Sequence, residues 1–278
     1  MFSELATTAE AGFDSSDDLL WQATRGQLAR RGPIRLRRSG RIGPVVELMY
    51  ARRAWPQEYA QVTTEIPFAY LVEEAMNSAR VSGGGYDDVA GVFPLGRGAL
   101  GGHAEDQWEQ WALHAQNVAV AHGLERSLVD GLIGALIELQ DNVYLHSEAP
   151  ASGMVAYATA AGMFEFVVAD AGIGVLASLT KNPEFDELKD SGEALRVAAS
   201  DGVSRFDRST GHGFGIGQLF KALARDAGEL RFRSGNHAMS IRGDQPSLTG
   251  KVETVQKAWL DGLIISVRCA PNRPTGKT

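Results

Sequence analysis

The sequence predicts an α+β fold, a two-layer α/β sandwich in which helices pack on one face of an antiparallel sheet, with a smaller mixed region ahead of it. Three observations predict it. Two consecutive helical patterns fill residues 105–146, period-2 apolar runs follow at 154–159 and 164–168, and further strand patterns recur at 230–233, 238–242 and 263–269. Helices first and antiparallel strands after suggest helices packed on one face of the sheet.

Residues 1–18 mix Ser, Thr, Ala, Asp and Glu without period and read as a mobile tail. A short strand is expected at 34–36. A helix over 45–54 stops at Trp55-Pro56, because proline disfavours the helical conformation in the residue before it. Pro67 precedes another helical pattern, 68–80, which ends in Ser82-Gly83-Gly84-Gly85. The eight glycines and Pro94 within 83–102 read as a linker, so residues 19–104 form a small N-terminal α/β region and 105–270 the main domain, with 271–278 a tail. Glu105 and Asp106 open a helix that carries Trp108, Trp111, Val118 and Ala119 and stops at Gly123, as acidic residues suit a first turn and glycine the residue past the last. Ser127 is expected to cap the next helix, in which Leu128, Leu132 and Leu136 interleave with Val129, Ile133 and Ile137. Residues 154–159 and 164–168 pair as a hairpin around Ala161-Gly162, and helices are expected at 175–180, 193–200 and 216–227. No internal repeat is visible.

Composition excludes several classes. With 44% hydrophobic and 22% charged residues in 278, the chain reads as an ordinary soluble protein. No run of about 18 uncharged apolar residues occurs, and the N-terminus lacks a basic-then-apolar leader, so no membrane span and a cytoplasmic location are expected. The single cysteine, Cys269, excludes an internal disulfide framework and reads as an apolar filler in the last strand. A net charge of −7 argues against a nucleic-acid binder, although Arg25, Arg30, Arg31, Arg35, Arg37, Arg38, Arg41, Arg52 and Arg53 crowd one early segment. That cluster reads as a solvated face balancing the acidic residues 4–18, with contact to an acidic partner as the alternative.

Three motifs stand at element ends. Glu138 and Asn142 lie one helical turn apart on one face, and His146 a further turn along. Asn142 offers a neutral oxygen that completes a magnesium shell without adding charge, Glu138 offers a carboxylate that takes a proton from water near a phosphate, and His146 touches phosphate or finishes the helix. Asp170 ends an apolar strand and is followed by Gly172 and Gly174, so its carboxylate sits where the chain turns sharply. Such a group accepts from an exocyclic amine, which adenine carries and guanine lacks at the equivalent ring position. Gly211, Gly213, Gly215 and Gly217 alternate with His212, Phe214 and Ile216 before a predicted helix, which lets bare amides and a helix N-terminus approach phosphate oxygens. The third glycine of a dinucleotide fingerprint is missing, and Gly276-Lys277-Thr278 lacks the upstream glycine and following helix of a Walker loop. Neither a Gly-x-Ser-x-Gly nor a His-Glu-x-x-His hydrolase run is present.

In order and separation these motifs resemble the boxes of the GHKL superfamily of ATPases, which holds DNA gyrase B subunits, heat-shock chaperones, MutL proteins and the ATP-binding domains of histidine kinases. The likeness covers about residues 105–270. Glu138 to Asn142 looks like the N box, Asp170 to Gly174 like the Asp-x-Gly-x-Gly box, and Gly211 to Gly215 like the second glycine box. The resemblance implies a Bergerat-type ATP-binding fold with ATP and Mg2+ as ligands. It places Asn142 and Glu138 at the metal with Glu138 as catalytic base, Asp170 on the adenine amine, and Gly211, Gly213 and Gly215 around the phosphates beneath a mobile lid over residues 175–210. Where the family often carries Gly-Thr before its last strand, this chain has Gly262-Leu263, or Thr249-Gly250 in reversed order. None of His103, His114 and His122 lies in a phospho-acceptor context, so a conventional sensor histidine kinase is not expected. The Asn142 to His146 arrangement is similar to stand-alone bacterial members related to anti-sigma-factor serine kinases and to partners of STAS-type domains. It implies a magnesium-dependent ATP-binding protein, a slow ATPase or nucleotide-gated switch acting on a protein partner, in a superfamily that frequently works as dimers. A protein serine kinase of anti-sigma-factor type and a non-catalytic nucleotide-binding module are the alternatives. Residues 1–104 resemble no family.

Overall fold

The protein is represented by a computed structural model that describes residues 6–77, 85–96, 103–160, 162–199, 228–242 and 253–270. It is an α+β fold, with a three-stranded parallel sheet, a five-stranded antiparallel sheet and seven α-helices among the described residues. The parallel sheet comes first: β1 (Thr7–Glu10), α1 (Phe13–Thr24), β2 (Ile34–Arg37), α2 (Gly43–Ala54) and β3 (Val62–Glu65) make two consecutive βαβ units in the order β1-β2-β3. Next come α3 (Ala69–Asn77), β4 (Ala90–Pro94), α4 (His103–Ala121), α5 (Arg126–His146), β5 (Met154–Ala160) and β6 (Met163–Asp170). The chain then runs through α6 (Gly174–Leu179), α7 (Ser191–Ala198), β7 (Glu229–Arg242) and β8 (Glu253–Cys269), and the large sheet is ordered β4-β5-β6-β8-β7 with every neighbour antiparallel.

Several boundaries differ from those read in the sequence. The segment 1–18, expected as a tail, carries β1 and the start of α1, and the glycine-rich segment 83–102 carries β4. Both strands are four or five residues long and are made by tertiary pairing, β1 to β2 and β4 to β5, so neither shows enough local period to be read. Residues 230–242 form one strand and not two, bent by irregularities at Ser234, Gly235 and His237. Glu125 and not Ser127 occupies the N-cap of α5.

The two faces of the large sheet are built from different side chains. On one, Phe93, Tyr157, Phe164, Phe166 and Phe232 meet Trp108 and Trp111 of α4 and the Leu128, Leu132, Leu136 and Leu139 stripe of α5. Phe93 and Trp108 meet edge-on at 5.3 Å between ring centroids, and Trp108 stacks on Trp111 at 5.5 Å. The other face is lined with small residues, Ala90, Ala156, Ala158, Ala169 and Ala258, beside Val92, Val167 and Ile264. Small side chains let a second helical layer approach closely, and α1, α2 and α3 fill that place, sharing a core with Ile34, Leu36 and Val62 of the parallel sheet. Helices therefore cover both faces, where the sequence predicted one.

That second face is also charged. Arg231 and Arg233 project from β7, and Lys257 from β8, onto Asp17 of α1 and Glu47 of α2, with Arg231 Nε to Glu47 at 2.6 Å, Arg233 Nη1 to Asp17 at 2.6 Å and Lys257 Nζ to Asp17 at 2.7 Å. Nearby, the carboxylate of Glu165, 1% exposed, accepts from the Ile42 amide at 2.8 Å, from Ser266 Oγ at 2.5 Å and from Arg41. Gly43 makes room for this, because a Cβ there would meet Glu165 at 2.8 Å and Ser266 at 2.7 Å.

Candidate functional site

β6 ends at Asp170, and the even positions Phe164, Phe166 and Val168 point toward α5, so the Asp170 side chain continues on that face. Its carboxyl is 2% exposed, accepts from the Gly172 amide at 2.8 Å and is also bonded by the backbone of Leu263. Burial raises its pKa from 3.8 to about 6, and the two backbone bonds hold it from rising further. A carboxylate has roughly four acceptor positions, so capacity for a further donor remains.

The loop after Asp170 is wedged between two elements. A Cβ on Gly172 would lie 2.0 Å from the Ser147 carbonyl at the end of α5, and the Ile173 amide donates to that same carbonyl at 2.9 Å. On the other side Gly174, at φ +74°, begins α6 where a Cβ would stand 2.7 Å from Ser234 Oγ. Ser234 Oγ accepts from the Val175 amide at 3.0 Å and donates to the Gly262 carbonyl at 2.8 Å. Gly262, at φ +82°, lies so close that a Cβ would reach within 2.0 Å of the Asp170 carbonyl. The loop is thus clamped between α5 and the β7–β8 ribbon.

Ser147 directly follows His146, the last residue of α5, so the structure brings the end of the Glu138, Asn142, His146 row against the Asp170 loop. Along that row exposure falls from Glu138, which is exposed, to Asn142 and His146, which are half-buried. The cause is geometric, since steps of four residues overshoot a whole turn and wind the row toward the sheet. Glu138 faces water. Among the described residues no cluster of three or more His, Cys, Asp and Glu side chains could by itself hold a metal ion. The donors here, one amide oxygen and one carboxylate, suit a cation that takes its other ligands from water and phosphate. Gly211, His212, Gly213, Phe214, Gly215, Ile216 and Gly217 lie outside the described residues, as do Thr249 and Gly250.

Sequence reasoning missed Ser147 and Ser234, because an isolated serine carries no spacing signal. Gly262-Leu263 proves adjacent to Asp170, in register with it across β6 and β8. Its contribution at Asp170 is a backbone hydrogen bond. A cavity of about 440 Å3 adjoins the other side of the loop, between Leu176, Thr180, Lys189, Ser234 and Trp259. Its lining includes neither Asp170 nor Asn142.

No protein-family model matches this chain, and no curated protein aligns with it significantly. Among the described residues no helix is long and apolar enough to cross a membrane.

Proposed function

We propose that this chain is a magnesium-dependent ATP-binding protein of the GHKL kind, using nucleotide to change its affinity for a partner, with slow hydrolysis. One observation carries the reading. A buried carboxyl at a strand end, Asp170, sits in a glycine loop pressed against the end of the helix that bears Glu138, Asn142 and His146. The end of α5 and the Asp170 loop, far apart in sequence, meet at the Ser147 carbonyl.

In this reading Asp170 accepts from the exocyclic amine of the base, which offsets the desolvation that its burial imposes. Asn142 lends a neutral oxygen to the metal shell, and His146 borders the same region. Glu138, exposed on the same row, takes a proton from water. Magnesium, when bound, neutralises developing phosphate charge. Gly172 and Gly174 give the loop its close approach to Ser147 and Ser234.

Titration of full-length protein with ATP, with and without magnesium, tests the proposal. Asp170→Ala is expected to weaken nucleotide binding with or without metal by about tenfold or more, the loss of a buried hydrogen-bonded acceptor. Asn142→Ala is expected to weaken only the magnesium-dependent part. Glu138→Ala should bind normally and release no phosphate, and equal turnover would remove Glu138 as base. If neither Asp170→Ala nor Asn142→Ala changes binding, the assignment is wrong.

A further inference from the structure

Tyr50 belongs to α2, in the N-terminal region for which the sequence suggests no role, yet its hydroxyl ends beside the Asp170 loop. The residue is 2% exposed. Its Oη donates to the Ser152 carbonyl at 2.5 Å and lies 3.3 Å from the carbonyl of Ala169, the residue directly before Asp170. Ser152 continues the chain of contacts, because its Oγ accepts from the Ala171 amide at 2.9 Å and donates to the Ala149 carbonyl at 2.6 Å. The hydroxyl therefore reaches both sides of Asp170: the peptide before it directly, and the amide after it through Ser152.

A phenol buried this deeply is desolvated, and a phenylalanine would fill the same volume without that cost. Its single O–H donates chiefly to the Ser152 carbonyl, with the Ala169 carbonyl as a longer second acceptor. Burial, and after it the neighbouring Asp170 charge, push the phenol well above its usual range, so it stays a donor at neutral pH. The remaining contacts of α2 with the sheet are apolar packing on β6 and β8 and the charged groups around Glu47 and Arg231. Tyr50 alone carries a described hydrogen bond from α2 to the segments flanking Asp170.

We infer that Tyr50 is a positioning residue for the loop from Asp170 to Gly174, which makes the N-terminal region a working part of the nucleotide site. The inference rests on the nucleotide reading given above, and the experiment separates the two. Tyr50→Phe keeps the ring and removes the bond. Tyr157→Phe is the matched control, since it also removes a tyrosine hydroxyl bonded to a carbonyl, that of Asp87 at 2.6 Å, away from the loop. Amide hydrogen exchange is measured on the nucleotide-free full-length proteins, and magnesium–ATP affinity on the same samples alongside Asp170→Ala.

Exchange at Ala171, Gly172 and Ile173 is expected to rise about tenfold in Tyr50→Phe and to stay unchanged in Tyr157→Phe, with nucleotide affinity about five- to tenfold weaker in Tyr50→Phe alone. Unchanged exchange in Tyr50→Phe overturns the inference whatever the nucleotide data show. Faster exchange with wild-type affinity also overturns it, because the loop would then be held for some other purpose. If Asp170→Ala and wild type bind ATP alike, the nucleotide reading fails and exchange alone decides whether Tyr50 positions the loop. Should Tyr50→Phe fail to fold, Ser152→Ala removes the second leg of the same linkage and takes its place, with the same loss of protection at Ala171 expected.

Discussion

Gly172 has no room for a methyl group, since a Cβ there would sit 2.0 Å from a backbone oxygen that α5 holds in place. Gly172→Ala must displace the helix end or the loop, and about 3 kcal/mol or more of stability should be lost, measured by denaturant unfolding. Asp170 makes a different prediction. Its folded pKa is raised from 3.8 to about 6, so folding favours the protonated form, and the stability it contributes is full below about pH 4 and lost as pH rises through 6. Unfolding free energy should fall by about 3 kcal/mol from this group between those limits, and Asp170→Asn should remove that part of the slope. Nucleotide affinity should run the opposite way, rising as pH passes 6, because an amine donor prefers the ionised acceptor. The tight turn of Gly172 and Gly174 after Asp170 was legible in the sequence, because a close backbone approach and a positive φ call for glycine. Ser147, Ser152, Ser234 and Tyr50 were not, since what each does depends on which distant carbonyl or amide folding delivers to it.

The elements differ in how openly they declare themselves. α4, α5 and the β5–β6 hairpin follow from period and turn chemistry, and they sit within a few residues of where pattern puts them. β7 shows why other features do not. Its Leu230, Arg231, Phe232, Arg233 alternation reads as a strand with one wet face, the usual state of an antiparallel sheet. Here the arginine face is covered, and Arg231 and Arg233 are 7% and 2% exposed. Nothing local to β7 encodes this, because the covering carboxylates, Asp17 and Glu47, come from the first fifty residues. The joint between β7 and α6 is similarly non-local, and its described hydrogen bond is accepted by the Ser234 hydroxyl. Ser234→Ala would leave the Val175 amide and Gly262 carbonyl without their described partner, at about 2 kcal/mol, and α6 should lose protection from hydrogen exchange before β8 does.

Across the whole molecule, the N-terminal region and the antiparallel sheet meet through a shared apolar core and a buried set of three cations and two carboxylates. Removing one partner of such a set is costly. Asp17→Asn leaves Arg231 and Arg233 with Glu47 alone and takes from Lys257 its described carboxylate, and a loss of about 3–5 kcal/mol is expected from thermal or denaturant unfolding at neutral pH. The shared core also bears on how the chain is made. Helices α1 to α3 leave the ribosome early, but β6 and β8, which complete their apolar surroundings, are joined to them only after some 100 to 200 further residues. Closing contacts of that separation is slow compared with forming local helices. During that interval the faces of α1 and α2 that carry Leu20, Val45 and Met49 wait without their final partners, so this protein should refold slowly and in a concentration-sensitive way, with losses to aggregation that shrink as the chain is diluted.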